Sequence, residues 1–560
     1  KGLNRGNPGP AVDQAIEGFP AIQSERGDCP HSGNHYSSST THLPLTPLLV
    51  PRITRKNVVP RSTREPGHQP IKTWSPDFSV KCLQRRLVAL FIRAKIRKIV
   101  QNKQKPTDAK NLNILRRIYF SIFPGSLGKT PDQSRQRDIL RSFVLHFRPR
   151  QVPERTLRFS FAFGLGDIAV VLILLLFCSG LLLKFAYEPS TGSAYDSILY
   201  QRDQVSFGQL VRNLHRWSAN GLLFVVFLHF LRIFYTGAFA APRQFNWIIG
   251  LCLFGAVILS NFTGYLLPWD QLAYWAITIS TSMLDYIPVV GTNLKEWLLG
   301  GTEPGPKTLM NFYAIHAAIL PAMLLFFVPF HFWRIRKAGG LVVPRTLDED
   351  PEIRGRMVDT MPHLIMREVS LALVVLAVVL LIAMILDAPL DEKANPGLTP
   401  NPTKPPWKLM GIQEMLMHFH PVFALLVIPA LLVLGLLLIP YINYETNTTG
   451  VWFGSANGRK TALIAVGVAL VATVGAVLLS EFVINSGQSG PASLVRNGLL
   501  PFALILAVCG GFYQWVRKGF KATNNEAVQA LFTLLMTAFV VLTVIGVWFR
   551  GPGMQLVWAG

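Results

Sequence analysis

The stretch R-N-L-H-R-W-S-A-N-G-L-L-F-V-V-F-L-H-F-L-R at residues 212–232 indicates the fold class. Most of it is apolar, and it is long enough to cross much of roughly 30 Å of hydrocarbon as a helix. It nevertheless contains two histidines, His215 and His229, 14 residues apart. Because an imidazole inside a membrane is costly and usually marks function, the stretch predicts a membrane-spanning helix with two binding side chains.

Comparable apolar stretches recur in the rest of the chain. Half of the 560 residues are hydrophobic and only 15% are charged, against about a quarter in soluble proteins. The composition excludes a soluble enzyme and predicts an all-α, polytopic transmembrane protein. The predicted spans are 161–187, 208–236, 246–267, 311–335, 369–387, 419–441, 461–482, 498–516 and 527–548.

Positive charge is concentrated before the first predicted span. Residues 1–160 contain 29 Lys and Arg against 10 Asp and Glu, whereas residues 161–560 contain 25 against 21. A basic region before a membrane domain is typical of the cytoplasmic face or of contact with anionic lipid, rather than of nucleic-acid binding. We therefore expect no nucleic-acid partner, a cytoplasmic N-terminus and a location in the inner (plasma) membrane of the cell.

The N-terminal part divides into two predicted regions, 1–110 and 111–160. Residues 1–80 are rich in Ser, Pro, Gly and Thr, which is typical of disorder, and the first region is either native or translated from a misplaced upstream start. Residues 83–100 predict a basic helix, on the membrane surface or simply solvated. Residues 139–158 predict a second surface helix on the cytoplasmic side.

Four of the twelve histidines lie well inside the predicted spans and form two pairs, whereas His420 stands at the very start of the sixth span. His215 and His229 lie on the second span, and His316 and His331, 15 residues apart, lie on the fourth. At 1.5 Å per residue the separations are roughly 21 and 22 Å, and each pair returns to about the same helix face. Because the helices run antiparallel, His215 meets His316 near the outer face and His229 meets His331 near the inner face. Two haem b groups, each bound by two histidines, fit this arrangement.

Glycines and arginines support the same two levels. Four glycines recur at 14-residue intervals on the first and third spans, namely Gly166 and Gly180, and Gly250 and Gly264. They leave the gaps that a porphyrin needs, although close helix packing alone also favours small residues. Arg212, Arg216 and Arg232 flank the histidines, where they can pair with haem propionates or anchor the helix at the membrane surface.

The five cysteines include no C-x-x-C-H or C-x-x-C sequence. A covalently attached c-type haem, a zinc site and an iron–sulfur cluster are therefore not encoded by these signatures. Any metal must be bound by other side chains.

Five strings together resemble cytochrome b of the quinol-oxidising bc-type complexes. They are R-x-x-H-R-W-S-A-N (212–220), H-F-L-R (229–232), G-Y-L-L-P-W-D-Q (264–271), I-P-V-V-G (287–291) and F-Y-A-I-H-A-A-I-L-P (312–321). The resemblance covers about 139–445. The spacing of His316 and His331 is more similar to the photosynthetic b6f branch, whose two separate proteins, cytochrome b6 and subunit four, would be fused here.

The resemblance implies a four-helix bundle at 161–340, a subunit-four-like part with the quinol-site loop at 341–445, and additional helices at 446–560. It assigns His215 and His316 to a low-potential haem b, and His229 and His331 to a high-potential one. It also implies a proton-translocating quinol:cytochrome c oxidoreductase in a lipid membrane, with a Rieske iron–sulfur protein and a c-type cytochrome as partners. A homodimer of such complexes is expected.

The quinol-site loop departs from the family. Its P-E-W-Y motif reads Pro405-Pro406-Trp407-Lys408, so the carboxylate that would accept a quinol proton is missing. Glu414, about two helical turns after Trp407, is the predicted substitute, with its pKa raised by burial. Asp270 and His418 are the rivals, and the alternative is that Glu414 only caps or pairs at the membrane surface.

Two further expectations concern the inner site and the covalent haem of the b6f branch. Arg336, Lys337 and Glu368 lie at the inner ends of spans four and five, where they either bind a quinone and relay protons or serve as stop-transfer charges. Gly164 aligns with the cysteine that holds the additional haem, so no covalent haem is expected.

Two other classes of protein fit parts of the pattern. A di-haem b membrane anchor of another quinone-linked dehydrogenase or reductase also uses paired histidines, but would lack the P-W-D string and the 405–407 segment. A transporter with coincidental histidines would show internal repeats and helices broken at the membrane midplane, and the sequence contains no such repeat.

Overall fold

The computed structural model describes residues 114–122, 149–159, 163–350, 355–402, 404–484 and 494–557. The predicted disordered segment 1–80 and the predicted basic helix 83–100 lie outside the described residues.

The described residues include nine helices that are long and apolar enough to cross a membrane, which confirms the all-α, polytopic fold class. We label them with the shorter helices in chain order. They are α2 (Leu165–Lys184), α4 (Gly208–Tyr235), α5 (Gln244–Leu266), α8 (Pro306–Lys337), α9 (Thr360–Ile385), α11 (Phe423–Tyr441), α12 (Ala456–Val483), α13 (Leu494–Gly519) and α14 (Asn524–Trp548). The shorter helices are α1 (Ile114–Ile122), α3 (Ala194–Asp203), α6 (Gln271–Ser282), α7 (Gly291–Leu299) and α10 (Met410–His418).

The first four long helices share one apolar core with the fifth. Leu172 of α2, Leu222 of α4, Val257 of α5 and Leu320 of α8 are all buried there, together with Val379 of α9. Burying these side chains against one another holds the helices side by side, so polar residues on the same inward faces are brought together as well.

One predicted helix is replaced by a strand. The prediction of a surface helix over 139–158 is wrong where the structure describes it, because Gln151–Pro153 forms a strand, β1, that pairs antiparallel with β2 (Met357–Asp359). A 3₁₀ turn follows at Glu154–Leu157. Pro149 and Pro153 explain the difference, since proline lacks an N–H donor and pushes the residue before it towards extended conformations.

The last three helices form a second apolar core. It contains Ala465 and Ala469 of α12, Phe512 and Val516 of α13, and Ala530 of α14. Small side chains let membrane helices approach closely, and the alanines allow it here. The short helix α10, which follows the 405–408 motif, packs directly against α14.

Candidate functional site

The outer pair of histidines lines a cavity of about 420 Å³. The ring centroids of His215 in α4 and His316 in α8 lie 6.3 Å apart. His316 lies in a short π-helical segment, Ile315–Ile319, within α8, and such segments are frequent at functional sites. Gly180 of α2 and Gly264 of α5 line the same cavity. The structure therefore brings the predicted outer histidines and both outer glycines together.

Hydrogen bonds fix which ring nitrogen of each outer histidine is available. The Ser179 hydroxyl donates to the Leu175 carbonyl at 2.6 Å, so it accepts from Nδ1 of His215 at 2.9 Å. Nδ1 of His316 donates to the Ser260 carbonyl at 3.0 Å. With Nδ1 protonated in both rings, Nε2 of each carries the free lone pair, which is the arrangement of metal-binding histidines.

The inner histidines are also brought together. His229 in α4 and His331 in α8 lie close enough to interact electrostatically. Nδ1 of His331 is buried and has no hydrogen-bond partner among the described residues. A buried polar atom without a partner is unusual in a folded protein, and it sets the inner level apart from the outer one, where Nδ1 of both rings is hydrogen-bonded.

Each of the four predicted glycines faces one of the four histidines. At the outer level, a Cβ atom built on Gly264 would lie 2.5 Å from Cε1 of His316, and one on Gly180 would lie 3.1 Å from Cε1 of His215. The corresponding inner distances are 3.7 Å from Gly166 to His229 and 3.5 Å from Gly250 to His331. The glycines leave space beside the imidazole rings, as a flat cofactor between two histidines requires.

The metal-ligand chemistry also fits such a cofactor. Within the described ranges, no group of three or more His, Cys, Asp or Glu side chains is placed to hold a bare metal ion. Two imidazoles leave an iron short of ligands, and the four nitrogens of a porphyrin supply the rest. Paired histidines without further protein ligands therefore suit haem.

The three predicted arginines lie near the two levels. Arg212 and Arg216 line the outer cavity. The guanidinium of Arg212 donates to the carbonyls of Ala388 and Pro389 at 2.6 and 2.7 Å, and that of Arg216 lies 5.4 Å from the Tyr265 ring centroid. Arg232 is buried at the end of α4 near the inner level. Two nitrogens of the Arg212 guanidinium thus hold the loop after α9 by hydrogen bonds.

The altered motif reaches the outer cavity through a lysine that sequence reasoning did not single out. Nζ of Lys408 donates to Oδ1 of Asn261 and lies 5.6 Å from the Tyr265 ring centroid. Asn261 and Tyr265 both line the cavity. Burial, with a smaller effect from the nearby Arg216 charge, lowers the pKa of Lys408 to about 8. Trp407 beside it is 54% exposed.

Asp270 lines the outer cavity, as expected of a rival proton acceptor. Its carboxylate caps α6 by accepting from the Ala273 N–H at 2.9 Å, and it accepts from the Asp391 N–H at 3.3 Å. Burial raises the pKa of Asp270 despite these hydrogen bonds. A carboxyl group with a raised pKa beside a cavity is a candidate proton acceptor.

Glu414 behaves differently from the prediction. Its carboxylate is fully buried and pairs with the Arg550 guanidinium at 2.5 Å and with Nε2 of His418 at 3.2 Å. Burial alone would raise the pKa of Glu414, but the hydrogen bonds from His418 and Arg550 outweigh burial and hold the pKa below its ordinary value. The prediction of a raised pKa is therefore wrong. Glu414 is not among the described residues that line the outer cavity, and the geometry matches the alternative in which it pairs.

The residues nominated for an inner quinone site lie at two helix ends. Arg336 and Lys337 end α8, and Glu368 lies in the first part of α9. Nζ of Lys337 is 5.8 Å from the Trp333 ring centroid. Their role in quinone binding stays a prediction.

Arg334, which the sequence presented only as part of a basic helix end, is buried beside the inner site residues. Its guanidinium donates to the Ser121 carbonyl of α1 at 2.7 Å and lies 4.9 Å from the Phe245 ring centroid. It therefore fastens α1 to the inner end of α8, and its position in R-I-R-K gave no signal that set it apart from its neighbours.

A family model described as Cytochrome b/b6/petB matches residues 153–339, which include all four paired histidines. Cytochrome b6 of Acaryochloris marina is 41% identical over 175 residues, covering 31% of this chain and 81% of that protein. Cytochrome b6 of Cyanidium caldarium is 43% identical over 174 residues, with the same coverage. Cytochrome b6 of Synechococcus sp. (strain CC9311) is 37% identical over 208 residues, covering 37% of this chain and 94% of that protein.

A solved structure described as a hyperthermophilic respiratory Complex III shares the fold. Its TM-score is 0.52 at 23% sequence identity, and the match covers 74% of this chain and 97% of the other chain. The shared fold thus extends well beyond residues 153–339.

Proposed function

The chain belongs to the cytochrome b/b6 family, and from this premise we propose that it is the cytochrome b subunit of a proton-translocating quinol:cytochrome c oxidoreductase. In this proposal quinol is oxidised at the outer face and quinone is reduced at the inner face. The partners are a Rieske iron–sulfur protein and a c-type cytochrome, and the complex forms a homodimer.

One observation carries the proposal: four histidines at two depths, each facing a glycine on a neighbouring helix. His215 and His316 would hold an outer haem b, and His229 and His331 an inner one. When bound, haem b supplies a one-electron carrier at each level. The chain contributes the free Nε2 lone pairs of the two outer histidines, the space beside all four rings, and the Arg212, Arg216 and Arg232 charges near the two levels.

Quinol oxidation releases protons, so the outer site needs a base within hydrogen-bond reach of the quinol hydroxyl. The outer cavity would hold the outer haem, and we propose that quinol meets Asp270 at the edge of this cavity, because the Asp270 carboxylate lines it and burial raises the pKa of Asp270. Pro405 and Trp407 would form the adjacent wall of the quinol site. Glu414 is less suited to accept the proton, because its carboxylate is already paired with Arg550.

The fused arrangement is also part of the proposal. α9 would belong to the subunit-four-like part, and it packs on the bundle through Asn213, whose side-chain amide donates to the Ala383 carbonyl at 2.9 Å. α11 packs there too, since Trp247 donates to the Leu436 carbonyl at 2.8 Å. Residues 446–560 lie beyond these two parts.

A redox titration of the purified complex, followed by its haem spectrum, tests the proposal. We expect two b-type haems with separate midpoint potentials. His215→Ala or His316→Ala should remove only the outer haem, and His229→Ala or His331→Ala only the inner one. His363→Ala, a change at an exposed histidine of α9, is the matched control and should retain both. Retention of both haems in any of the four ligand variants would contradict the assignment.

Co-purification separates this proposal from a di-haem membrane anchor of another quinone-linked enzyme. A complex isolated through this chain should contain a Rieske protein and a c-type cytochrome. Recovery of a dehydrogenase or reductase subunit instead would favour the anchor.

The N-terminus would lie in the cytoplasm and the protein in the plasma membrane. This follows from the basic segment before the first span. In a cysteine-free background, an impermeant thiol reagent should label Val289→Cys, at a position that is 97% exposed, in intact spheroplasts. It should label Lys518→Cys, at the exposed end of α13, only after permeabilisation. The reverse pattern would invert the topology.

A further inference from the structure

A single arginine joins three separate parts of the chain. Arg550 lies two residues after the end of α14, and its side chain is fully buried. Its Nε and Nη2 atoms donate to the two carboxylate oxygens of Glu414 at 3.0 and 2.5 Å, and Nη1 donates to Glu481 at 3.1 Å. Nη1 also donates to the Met554 carbonyl at 3.0 Å. The guanidinium therefore connects α10, the end of α12 and the tail after α14.

A histidine completes the cluster. Nε2 of His418 lies 3.2 Å from Oε1 of Glu414, and its Nδ1 lies 2.9 Å from the Ser480 hydroxyl. Both oxygens of Glu414 are thus hydrogen-bonded inside the protein. Removing one partner of a buried ion pair leaves an uncompensated charge and is strongly destabilising, so the cluster holds α10 in one position.

Close packing holds α10 at the same place without charge. A Cβ atom on Gly411 would lie 2.6 Å from the Thr543 hydroxyl and 2.8 Å from the Phe539 ring. A Cβ atom on Gly546 would lie 2.9 Å from the terminal carbon of Met410. α10 and α14 therefore meet through glycines from both sides.

The start of the same segment is fastened to the tail as well. Oδ1 of Asn401 accepts from the Gly553 N–H at 2.8 Å, and Nζ of Lys404 donates to the Val547 carbonyl at 3.2 Å. The last helix and its tail thus contact residues 401–418 at both ends, with Pro405 and Trp407 between them.

We infer that the last helix and the tail after it position the segment 401–418 against the outer cavity, with Arg550 as the central positioning residue. Lys408 is the link between the two places: it belongs to this segment and contacts Asn261 and Tyr265 in the cavity wall. A displaced segment withdraws Lys408 and changes the wall that the quinol would meet. The functional part of this inference rests on the proposed function, since it takes residues 405–408 as part of the quinol site.

The test compares Arg550→Met with Arg517→Met in the complete complex. Arg517, near the end of α13, forms a partly exposed ion pair with Glu445 at 2.9 Å, on the cytoplasmic side in the proposed topology. Both variants replace an ion-paired arginine by methionine, so the chemical change is the same. A Glu414→Gln/Arg550→Met double variant removes the unpaired buried charge, and it decides the outcome if the single variant does not assemble.

Hydrogen exchange gives a readout that does not depend on quinol chemistry. Residues 401–418 should lose protection in the Arg550 variants and keep it in Arg517→Met. Unchanged protection in the Arg550 variants would overturn the inference even if the parent complex proved to have no quinol activity, a result that would refute the proposed function separately.

Kinetics test the positioning itself, with haem content verified intact by spectrum. The KM for quinol should rise about 10- to 100-fold in the Arg550 variants while kcat changes less, because the binding wall is displaced and the haem ligands are not. The spectral shift of the outer haem on adding a quinol-site inhibitor should weaken in parallel. A KM within twofold of the parent, together with lost protection, would leave the contacts purely structural and overturn the inference.

Discussion

The four-helix region at 163–337 and the outer segment around α10 both place polar side chains in apolar surroundings, and they do so differently. In the first region, four imidazoles lie next to glycines, with Nδ1 of each outer ring hydrogen-bonded locally. In the second, two carboxylates share one guanidinium that comes from 136 residues further along the chain than Glu414. The first arrangement leaves space for a bound group. In the second, the polar side chains satisfy one another.

The difference shows how open sites and closed supports are built. A site for a cofactor needs ligand atoms with free lone pairs and a gap beside them, and helix periodicity supplies both at fixed intervals. A support needs every polar atom satisfied by the protein itself, because an unpaired buried charge is costly.

The largest effect is expected at Gly264. A Cβ atom there would lie 2.5 Å from His316, closer than real contacts allow, so Gly264→Ala should abolish binding of the outer haem. Gly166→Ala, where the corresponding distance to His229 is 3.7 Å, should retain the inner haem. Haem content per polypeptide, read from the pyridine haemochrome spectrum, checks both variants. Equal losses of haem in the two variants would mean that the distance between the glycine and the histidine does not control haem binding.

The second effect concerns the stability of the closed support. Arg550→Met leaves Glu414 buried with its main cation removed, and should lower the free energy of unfolding by about 3–5 kcal/mol. Arg517→Met, at a partly exposed pair, should have no measurable effect. Denaturant unfolding of the detergent-solubilised complex provides the measurement. A similar loss of unfolding free energy in the two variants would mean that the buried Arg550 cluster is no more important for stability than the partly exposed Arg517 pair.

A smaller effect separates Asp270 and Glu414, the two carboxylates considered as proton acceptors. Asp270→Asn should slow quinol-driven reduction of the outer haem by about 100-fold, because a general base is lost. Glu414→Gln should leave the rate at saturating quinol within about twofold, or less than ~0.4 kcal/mol of barrier. Stopped-flow absorbance of the haem, with haem content verified, decides between them. The opposite ranking would return the proton-acceptor role to Glu414.

The smallest effect is a pH dependence at Lys408. Burial lowers its pKa from 10.5 to about 8, so between these values the unfolded chain binds more protons than the folded protein. Stability contributed by this group must therefore rise with pH from about 8 to 10.5 and be least below pH 8. Unfolding midpoints measured across this range should show a shallower rise in Lys408→Met than in the parent.

The sequence predicted what depends on helix periodicity. All nine spans were placed correctly, and the largest error, nine residues at the start of α9, arises because its helix continues through the polar residues Arg367 and Glu368. The pairing of His215 with His316 followed from spacing and antiparallel direction alone, and the ring contact agrees with it. A helix repeats through hydrogen bonds between backbone groups four residues apart. The spacing of side chains along one helix face can therefore be predicted from the local sequence alone.

What the sequence did not predict depends on distant partners. The pKa of Glu414 was expected to rise because burial is suggested by its neighbours, while its pairing with Arg550 is not. Lys408 replaces the tyrosine of the P-E-W-Y motif, and its contacts with Asn261 and Tyr265 in the cavity wall depend on the placement of α5 beside it. The strand at Gln151–Pro153 likewise needs its partner at Met357–Asp359.

The π-helical segment at Ile315–Ile319 has a consequence for chain length. A π turn accommodates one residue more than an α turn, and the interval from His316 to His331 is one residue longer than that from His215 to His229. The additional residue is thus taken up as a local bulge instead of rotating every later side chain by about 100°. α8 therefore has one residue more between its two histidines than α4 has, and the two histidines of α8 still lie level with those of α4. Deleting a residue from 317–319 should convert the bulge to regular helix and leave both histidines directed at the same partners.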